Sequence, residues 1–91
     1  MYDKLKSRDR FLRKTYGITL TQYNEMFKEQ NGGCWICHRP PKKRALHVDH
    51  NHKTGKIRGL LCHNCNYGLS RYFKENIENL KRASLYLEIF N

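Results

Sequence analysis

Long apolar runs, acidic residues and flexible linkers are what this 91-residue sequence has least of. No segment approaches the roughly 20 apolar residues of a membrane-spanning helix, and the charges near the N-terminus are too dense for a signal peptide. We therefore expect no membrane partner and an intracellular, cytoplasmic protein. Because no linker or change of composition divides the chain, the sequence predicts a single domain covering residues 1–91.

The sequence also offers little material for a hydrophobic core. Apolar residues make up 38% of the chain, and its mean hydropathy is −0.88. A domain of this size keeps a large share of its surface in water, so apolar burial alone stabilises it weakly. We therefore expect a bound metal ion to support the fold.

Acidic residues are scarce beside basic ones. The chain has 8 Asp and Glu against 18 Lys and Arg, a net charge of +10. Four thiolates binding one Zn²⁺ would lower this figure only to about +8. Such a charge indicates a polyanionic partner, because binding releases the counterions condensed on it. Nucleic acid is the leading candidate, and a charge that serves solubility alone is the alternative.

Helical patterns occupy the first third of the chain. An apolar stripe predicts a basic helix over residues 4–16, which Gly17 would end. Thr19 and Gln22 form a capping-box pattern ahead of a second apolar stripe. That second helix should stop near residues 31–33, immediately before the first cysteine.

The middle of the chain predicts a hairpin followed by helices. Residues 45–50 and 56–61 have strand patterns and enclose a turn at residues 53–55. A helical pattern covers residues 66–72. After a break near residues 74–76, with Asn76 as N-cap, the last helix carries an apolar stripe of Ile77, Leu80 and Leu87. We expect this stripe to pack into the core, with a homodimer seam as the alternative.

Two cysteine pairs share the C-x2-C spacing: Cys34 with Cys37, and Cys62 with Cys65. In a reducing compartment such pairs are more typical of metal ligands than of disulfides. Four thiolates complete the tetrahedral shell of Zn²⁺ and leave no open position, so we expect a structural zinc site. Trp35, between the first two cysteines, is expected to pack against the protein rather than to stack on bases.

A second group of residues suggests chemistry. Phosphodiester hydrolysis needs a base, a divalent cation and hard ligands for that cation. Asp49 and His50 supply a ligand and a base side by side, and Asn66 could add a neutral oxygen at the start of the following helix. Neighbouring residues of a flat strand point to opposite faces, so a shared site requires a twist or bulge there. Taken singly, Asp49 and His50 could be a surface turn pair and Asn66 a helix cap.

The combined motifs carry a family resemblance. They are residues 48–52 (VDHNH), 58–62 (RGLLC) and 65–66 (CN), preceded by residues 16–19 (YGIT) and 30–34 (QNGGC). Together they resemble the HNH nucleases with a ββα-metal core, in particular the recombination endonuclease VII-like branch, over most of the chain. The resemblance implies an α+β fold in which a treble-clef-like core over residues 34–73 follows a basic helical part (1–33) and precedes a C-terminal helix (74–91).

The resemblance also implies roles for individual residues. Asp49 and Asn66 would bind a catalytic Mg²⁺ or Mn²⁺, and His50 would be the general base. His52 and His47 would assist near the scissile phosphate. The branch can carry an acidic residue one turn after the Asn, and this sequence has Leu69 there.

The sequence thus predicts a DNA endonuclease that leaves 5′-phosphate and 3′-hydroxyl ends, from a phage or prophage and at work in a bacterial or phage-infected cell. Cations predicted to contact DNA phosphates are Arg58, Lys53, Lys56, Arg71, Lys4, Lys6, Arg8 and Arg10. The main alternative is a non-catalytic, zinc-stabilised nucleic-acid-binding module. A third is a treble-clef domain that binds another protein. Cutting a branched junction would require two active sites, hence a homodimer, which the sequence leaves open.

Overall fold

The computed structural model describes residues 3–90, so Met1, Tyr2 and Asn91, at the ends of the predicted domain, lie outside the described residues. The elements in chain order are α1 (Lys4–Tyr16), α2 (Leu20–Glu29), β1 (His47–His50), β2 (Ile57–Leu61), α3 (His63–Tyr67), a π-helical turn (Gly68–Tyr72) and α4 (Ile77–Phe90). The predicted α+β class is confirmed. No helix within the described part of the chain is long and apolar enough to cross a membrane.

Helix α1 ends, and helix α2 begins, at the residues that the sequence predicts. Gly17 adopts a left-handed conformation with φ of 73°, and its N–H donates to the carbonyl of Arg13. Thr19 and Gln22 form both hydrogen bonds of the capping box at the start of α2. The side chain of Asp9 accepts a hydrogen bond from the N–H of Leu20 at 2.8 Å and so joins the two helices. The pKa of Asp9 is lowered by this bond first and by Arg13 second.

The two strands form an antiparallel hairpin with an irregular outer end. Val48 pairs with Leu60 and Asp49 with Gly59, but His50 pairs with Ile57. The register shift therefore falls between Asp49 and His50, where Arg58 is the extra residue of β2. Such a bulge increases the local twist of the hairpin opposite the two residues of the predicted site.

A small core joins the hairpin to α1, α2 and the first cysteine. Its buried members are Leu12, Tyr23, Cys34, Leu46, Val48, Leu60 and Leu61. The Tyr23 hydroxyl donates to the Leu46 carbonyl at 2.7 Å. The Gln30 side chain donates to the carbonyl of Leu60 and accepts from its N–H, both at 2.9 Å. These bonds fix α2 against β2 and give the polar groups between them hydrogen-bond partners.

Two expectations about helices are wrong. The helix after the second cysteine pair begins at His63 with Cys62 as N-cap, so Asn66 lies inside α3 instead of starting or capping it. In α4, Ile77 is 66% exposed and Leu87 is 65% exposed, so the apolar stripe is not core. Asn76 does cap α4, because its side chain accepts from the N–H of Asn79 at 2.9 Å.

Candidate metal centre and catalytic cluster

The four cysteines converge as their spacing predicts. Their sulfur atoms all lie within 4.8 Å of one another, and no disulfide joins them. The Sγ atoms of Cys37 and Cys62 are 3.8 Å apart. Zn–S bonds of roughly 2.3 Å in a tetrahedron place sulfurs about 3.8 Å apart, so the cluster has the size of a zinc site. Among residues 3–90, no other group of three or more His, Cys, Asp or Glu side chains is close enough to hold an ion.

The first cysteine turn is shaped by backbone contacts. The N–H of Cys34 donates to the Arg39 carbonyl at 3.0 Å, and the N–H of His38 donates to the Cys34 carbonyl at 2.9 Å. A Cβ on Gly33 would collide with the His38 carbonyl, so only glycine fits there. The N–H of Trp35 donates to the Leu60 carbonyl at 3.1 Å, which attaches the turn to β2.

The thiols of the cluster differ in acidity. Burial alone would raise the pKa of Cys34, but hydrogen bonds from the backbone N–H groups of Cys37, Cys62 and Ile36 outweigh it and lower the pKa to about 6. Burial raises the pKa of Cys65, and hydrogen bonds with the neighbouring thiols add to the rise. A negative charge in the cluster is therefore favoured at Cys34, where backbone donors stabilise the thiolate.

Asp49 is the one buried charged residue of the described chain, at 8% exposure. Its Oδ2 accepts from Nε of Arg58 at 2.8 Å and its Oδ1 accepts from Nη2 at 3.0 Å. The same Nη2 also donates to the carboxylate of Glu75. The hydrogen bond with Asp49, followed by that with Glu75, raises the pKa of Arg58 above its ordinary value.

The net charge of the oxygen donors around Asp49 is compatible with a hard divalent cation. Two carboxylates, of Asp49 and Glu75, surround a single guanidinium and leave one unit of negative charge inside a chain of net charge +10. Mg²⁺ prefers such oxygen donors and keeps several waters. Asn66 is half-buried on α3, and Leu69, one turn later, lines the same pocket as Asp49.

The predicted catalytic histidines fall into two groups. The rings of His50 and His52 have centroids 4.7 Å apart, and the ring of Tyr16 lies 5.9 Å from that of His50. The ring centroid of His47 instead lies 5.7 Å from that of His63. Within the described residues, Nε2 of His47 is buried without a hydrogen-bond partner. Burial, followed by the positive charges of nearby side chains, lowers the pKa of His47.

Most of the predicted DNA-contacting cations are exposed: Lys4, Lys6, Arg10, Lys53, Lys56 and Arg71. Two are engaged by the protein itself. The guanidinium of Arg8 lies 5.0 Å from the centroid of the Tyr23 ring, and that of Arg58 binds the two carboxylates. Arg8 therefore also packs against the core.

Three residues near the site have positions that sequence reasoning missed. Trp35 is 65% exposed, so the expectation that it packs against the protein is wrong. Tyr16, assigned to a helix stripe, also lies beside His50. Glu75 reaches Arg58 across 17 positions of the chain, and no spacing rule in the sequence signals that pair.

Comparison with known proteins gives relatives from phages. The chain is 49% identical over 74 residues to the Gene 59 protein of Mycobacterium phage L5 and 47% identical over 74 residues to that of Mycobacterium phage D29. Each match covers 80% of this chain and 45% of the relative, so the chain spans less than half the length of these curated relatives. The sequence model of recombination endonuclease VII matches residues 9–89, almost the whole chain. This protein therefore belongs to the recombination endonuclease VII family.

Proposed function

We propose that the chain is an HNH-type DNA endonuclease in which His50 is the general base for phosphodiester hydrolysis. The observation that carries the proposal is the register shift between Asp49 and His50. The extra residue, Arg58, lies on β2, and such a bulge increases the local twist of the hairpin. With that twist, a buried carboxylate and a half-buried imidazole, adjacent in sequence, could serve one phosphate. Membership of a family described as recombination endonuclease VII supports DNA as the substrate.

In this proposal the chain's own residues have separate tasks. His50 takes a proton from the attacking water, which imidazole can do near neutral pH. Tyr16 and His52 contact its ring and limit its rotation. Products with 5′-phosphate and 3′-hydroxyl ends follow if the water attacks phosphorus in line with the departing 3′-oxygen. The Nε2 atom of His47 has no hydrogen-bond partner among the described residues but is buried, so it could donate to a phosphate oxygen only after the side chains around it move.

A divalent cation, Mg²⁺ or Mn²⁺, would be held by Asp49 and Asn66. When bound, such a cation supplies positive charge that stabilises the leaving oxygen. Both oxygens of Asp49 accept hydrogen bonds from Arg58. Cation binding at Asp49 therefore requires Arg58 to release at least one of them, and the released guanidinium would be free to contact a DNA phosphate.

The hydrogen bonds from Arg58 to both oxygens of Asp49 also favour a second candidate function. If Arg58 keeps both oxygens, the chain is a non-catalytic, zinc-stabilised module that binds DNA through its exposed cations. Net charge of +10 suits this function equally well.

The two functions separate in one plasmid assay. Supercoiled plasmid with zinc-loaded protein and Mg²⁺ should become nicked or linear if the chain is a nuclease, whereas a binder only retards the band. His50→Ala should lose at least about a hundredfold in rate, the usual contribution of a positioned base. His38→Asn is the matched control, because His38 is exposed on the cysteine turn and Asn tolerates its left-handed backbone, with φ of 65°.

Zinc content and circular dichroism of both variants would show that the fold is retained. If the zinc-loaded wild type with Mg²⁺ cuts neither the plasmid nor a four-way junction, the nuclease is ruled out. Wild-type cutting by His50→Ala would rule out the base assignment alone.

A further inference from the structure

Trp35 is an exposed aromatic residue on the first cysteine turn. It is the one tryptophan of the sequence, and 65% of it is exposed. Its neighbour Ile36 is 44% exposed. Both residues lie between the first two cysteines, and the backbone N–H of Trp35 is bound to Leu60. The indole is thus an exposed aromatic surface on a rigid, metal-supported turn, which is the form of a binding platform.

The indole borders a pocket that Asp49 also lines. The pocket has a volume of about 320 Å³, and its apolar walls are Trp35, Ile36, Gly59, Leu61 and Leu69. Its polar side chains are those of Asp49 and Arg58. A pocket with apolar walls and a few polar groups suits a flat, uncharged ring better than a phosphate.

Gly59 keeps the approach to the indole open. A Cβ at this position would lie 3.8 Å from Cδ1 of Trp35, in van der Waals contact with the ring. The same Cβ would lie 3.4 Å from Oε1 of Gln30, so a side chain here would fill the space between Gln30 and the indole. Glycine at the residue opposite Asp49 therefore leaves this aromatic surface uncovered between the cysteine turn and β2.

We propose that this pocket receives an unpaired nucleobase of the DNA strand, stacked on Trp35, next to the phosphodiester bond that is cut. The inference rests on the proposed nuclease function and adds a base-binding position to the proposed site. A base in an intact duplex is stacked and paired, so it reaches a pocket only at the cost of leaving the helix. Single-stranded DNA is therefore expected to enter the pocket more readily than blunt duplex. The basic charge of the chain selects a DNA strand rather than an apolar ligand.

Intrinsic fluorescence tests the stacking directly, because Trp35 is the chain's sole indole. Zinc-loaded protein without added Mg²⁺ is titrated with a short oligothymidylate, with a strand of abasic sites and with a blunt duplex. Fluorescence anisotropy of labelled DNA reports the bound fraction in parallel. We expect strong quenching by the bound oligothymidylate, little by the bound duplex and none by the bound abasic strand.

Substitution gives the second readout. Trp35→Ala should weaken binding of the oligothymidylate by about 5- to 100-fold, the range for loss of one stacked base, and Trp35→Phe should restore most of it. The matched control is Tyr86→Ala on α4, since Tyr86 is 61% exposed and does not line the pocket. Zinc content and thermal unfolding confirm that each variant folds.

Several results would contradict the proposal that the pocket binds a nucleobase. One is unchanged emission with the single strand fully bound, and another is wild-type affinity in Trp35→Ala. A change of oligomeric state in Trp35→Ala, with DNA affinity retained, would assign the indole to a second copy of the chain. Plasmid cleavage by the wild type distinguishes the two proposals. Cleavage without a change of tryptophan emission would rule out the base-binding pocket alone. Absence of both cleavage and DNA binding would rule out the nuclease and the pocket.

Discussion

The guanidinium of Arg58 donates to both carboxylate oxygens of Asp49, at 2.8 and 3.0 Å. The residue proposed to hold a cation is thus occupied by a cation of the protein itself. A third hydrogen bond from Arg58 reaches Glu75. A charge-assisted pair of this kind orients the carboxylate while it competes with a metal ion for the same oxygens.

Replacing Arg58 should therefore tighten cation binding. In zinc-loaded Arg58→Ala, Mn²⁺ should bind about tenfold more tightly than in the wild type, because a charged hydrogen-bond donor no longer competes for Asp49. DNA affinity should fall at the same time. Electron paramagnetic resonance of free Mn²⁺ measures the first effect, and anisotropy of labelled DNA measures the second. Arg82→Ala is the control, since Arg82 is an exposed arginine outside the pair and outside the predicted DNA surface. Weaker Mn²⁺ binding in Arg58→Ala would mean that the arginine supports the cation site.

The parts of the structure that depend on neighbouring residues were predictable from the sequence. Gly17 ends α1, Thr19 and Gln22 cap α2, and the cysteine spacing gives the metal site. The two helix ends and each cysteine pair rest on chemistry within a few positions of the chain. The two pairs lie 25 positions apart, and the shared C-x2-C spacing signals that they bind one ion.

What the sequence could not give are the long-range contacts of the site. The link from Arg58 to Glu75 depends on how the end of the π-helical turn meets the hairpin. The exposure of Trp35 depends on which face of the cysteine turn docks on β2. An apolar stripe such as that of α4 shows only that one face is apolar, and whether a partner covers it is a tertiary property.

Removal of the metal should unfold the domain. The buried core has seven apolar side chains, and one of them is the metal-site residue Cys34. Structural zinc contributes on the order of 10 kcal/mol of apparent free energy in small domains, more than such a core can supply. A strong chelator should abolish the helical circular dichroism signal, and one equivalent of Zn²⁺ should restore it. Cys34→Ser should not respond to zinc in this way. A chelated chain that keeps its helical signal would contradict a folding role for the ion.

The apolar stripe of α4 should contribute little to stability. Ile77 and Leu87 are largely exposed, so Ile77→Ser and Leu87→Ser should each change the free energy of unfolding by less than about 0.5 kcal/mol. Leu60 is fully buried, and Leu60→Ala should cost about 2–5 kcal/mol. Urea denaturation of the zinc-loaded proteins measures both changes. If the α4 substitutions cost as much as Leu60→Ala, the stripe is covered in solution, and dependence of the unfolding midpoint on protein concentration would identify a second copy as the cover.

The exposed cations of α1 should supply affinity for DNA without sequence preference. Arg8 is left unchanged in this test because its guanidinium packs over Tyr23, so its removal would also disturb the core. The variant combines Lys4→Gln, Lys6→Gln and Arg10→Gln. Each phosphate that the variant no longer neutralises should reduce the slope of log affinity against log salt by about 0.9 on duplex DNA, equally for unrelated sequences. The control with the same change of net charge combines Lys28→Gln, Lys81→Gln and Arg82→Gln, all exposed and outside the predicted DNA surface. Equal slopes for the two variants would mean that net charge alone drives binding, and a decrease confined to one sequence would mean that α1 reads bases.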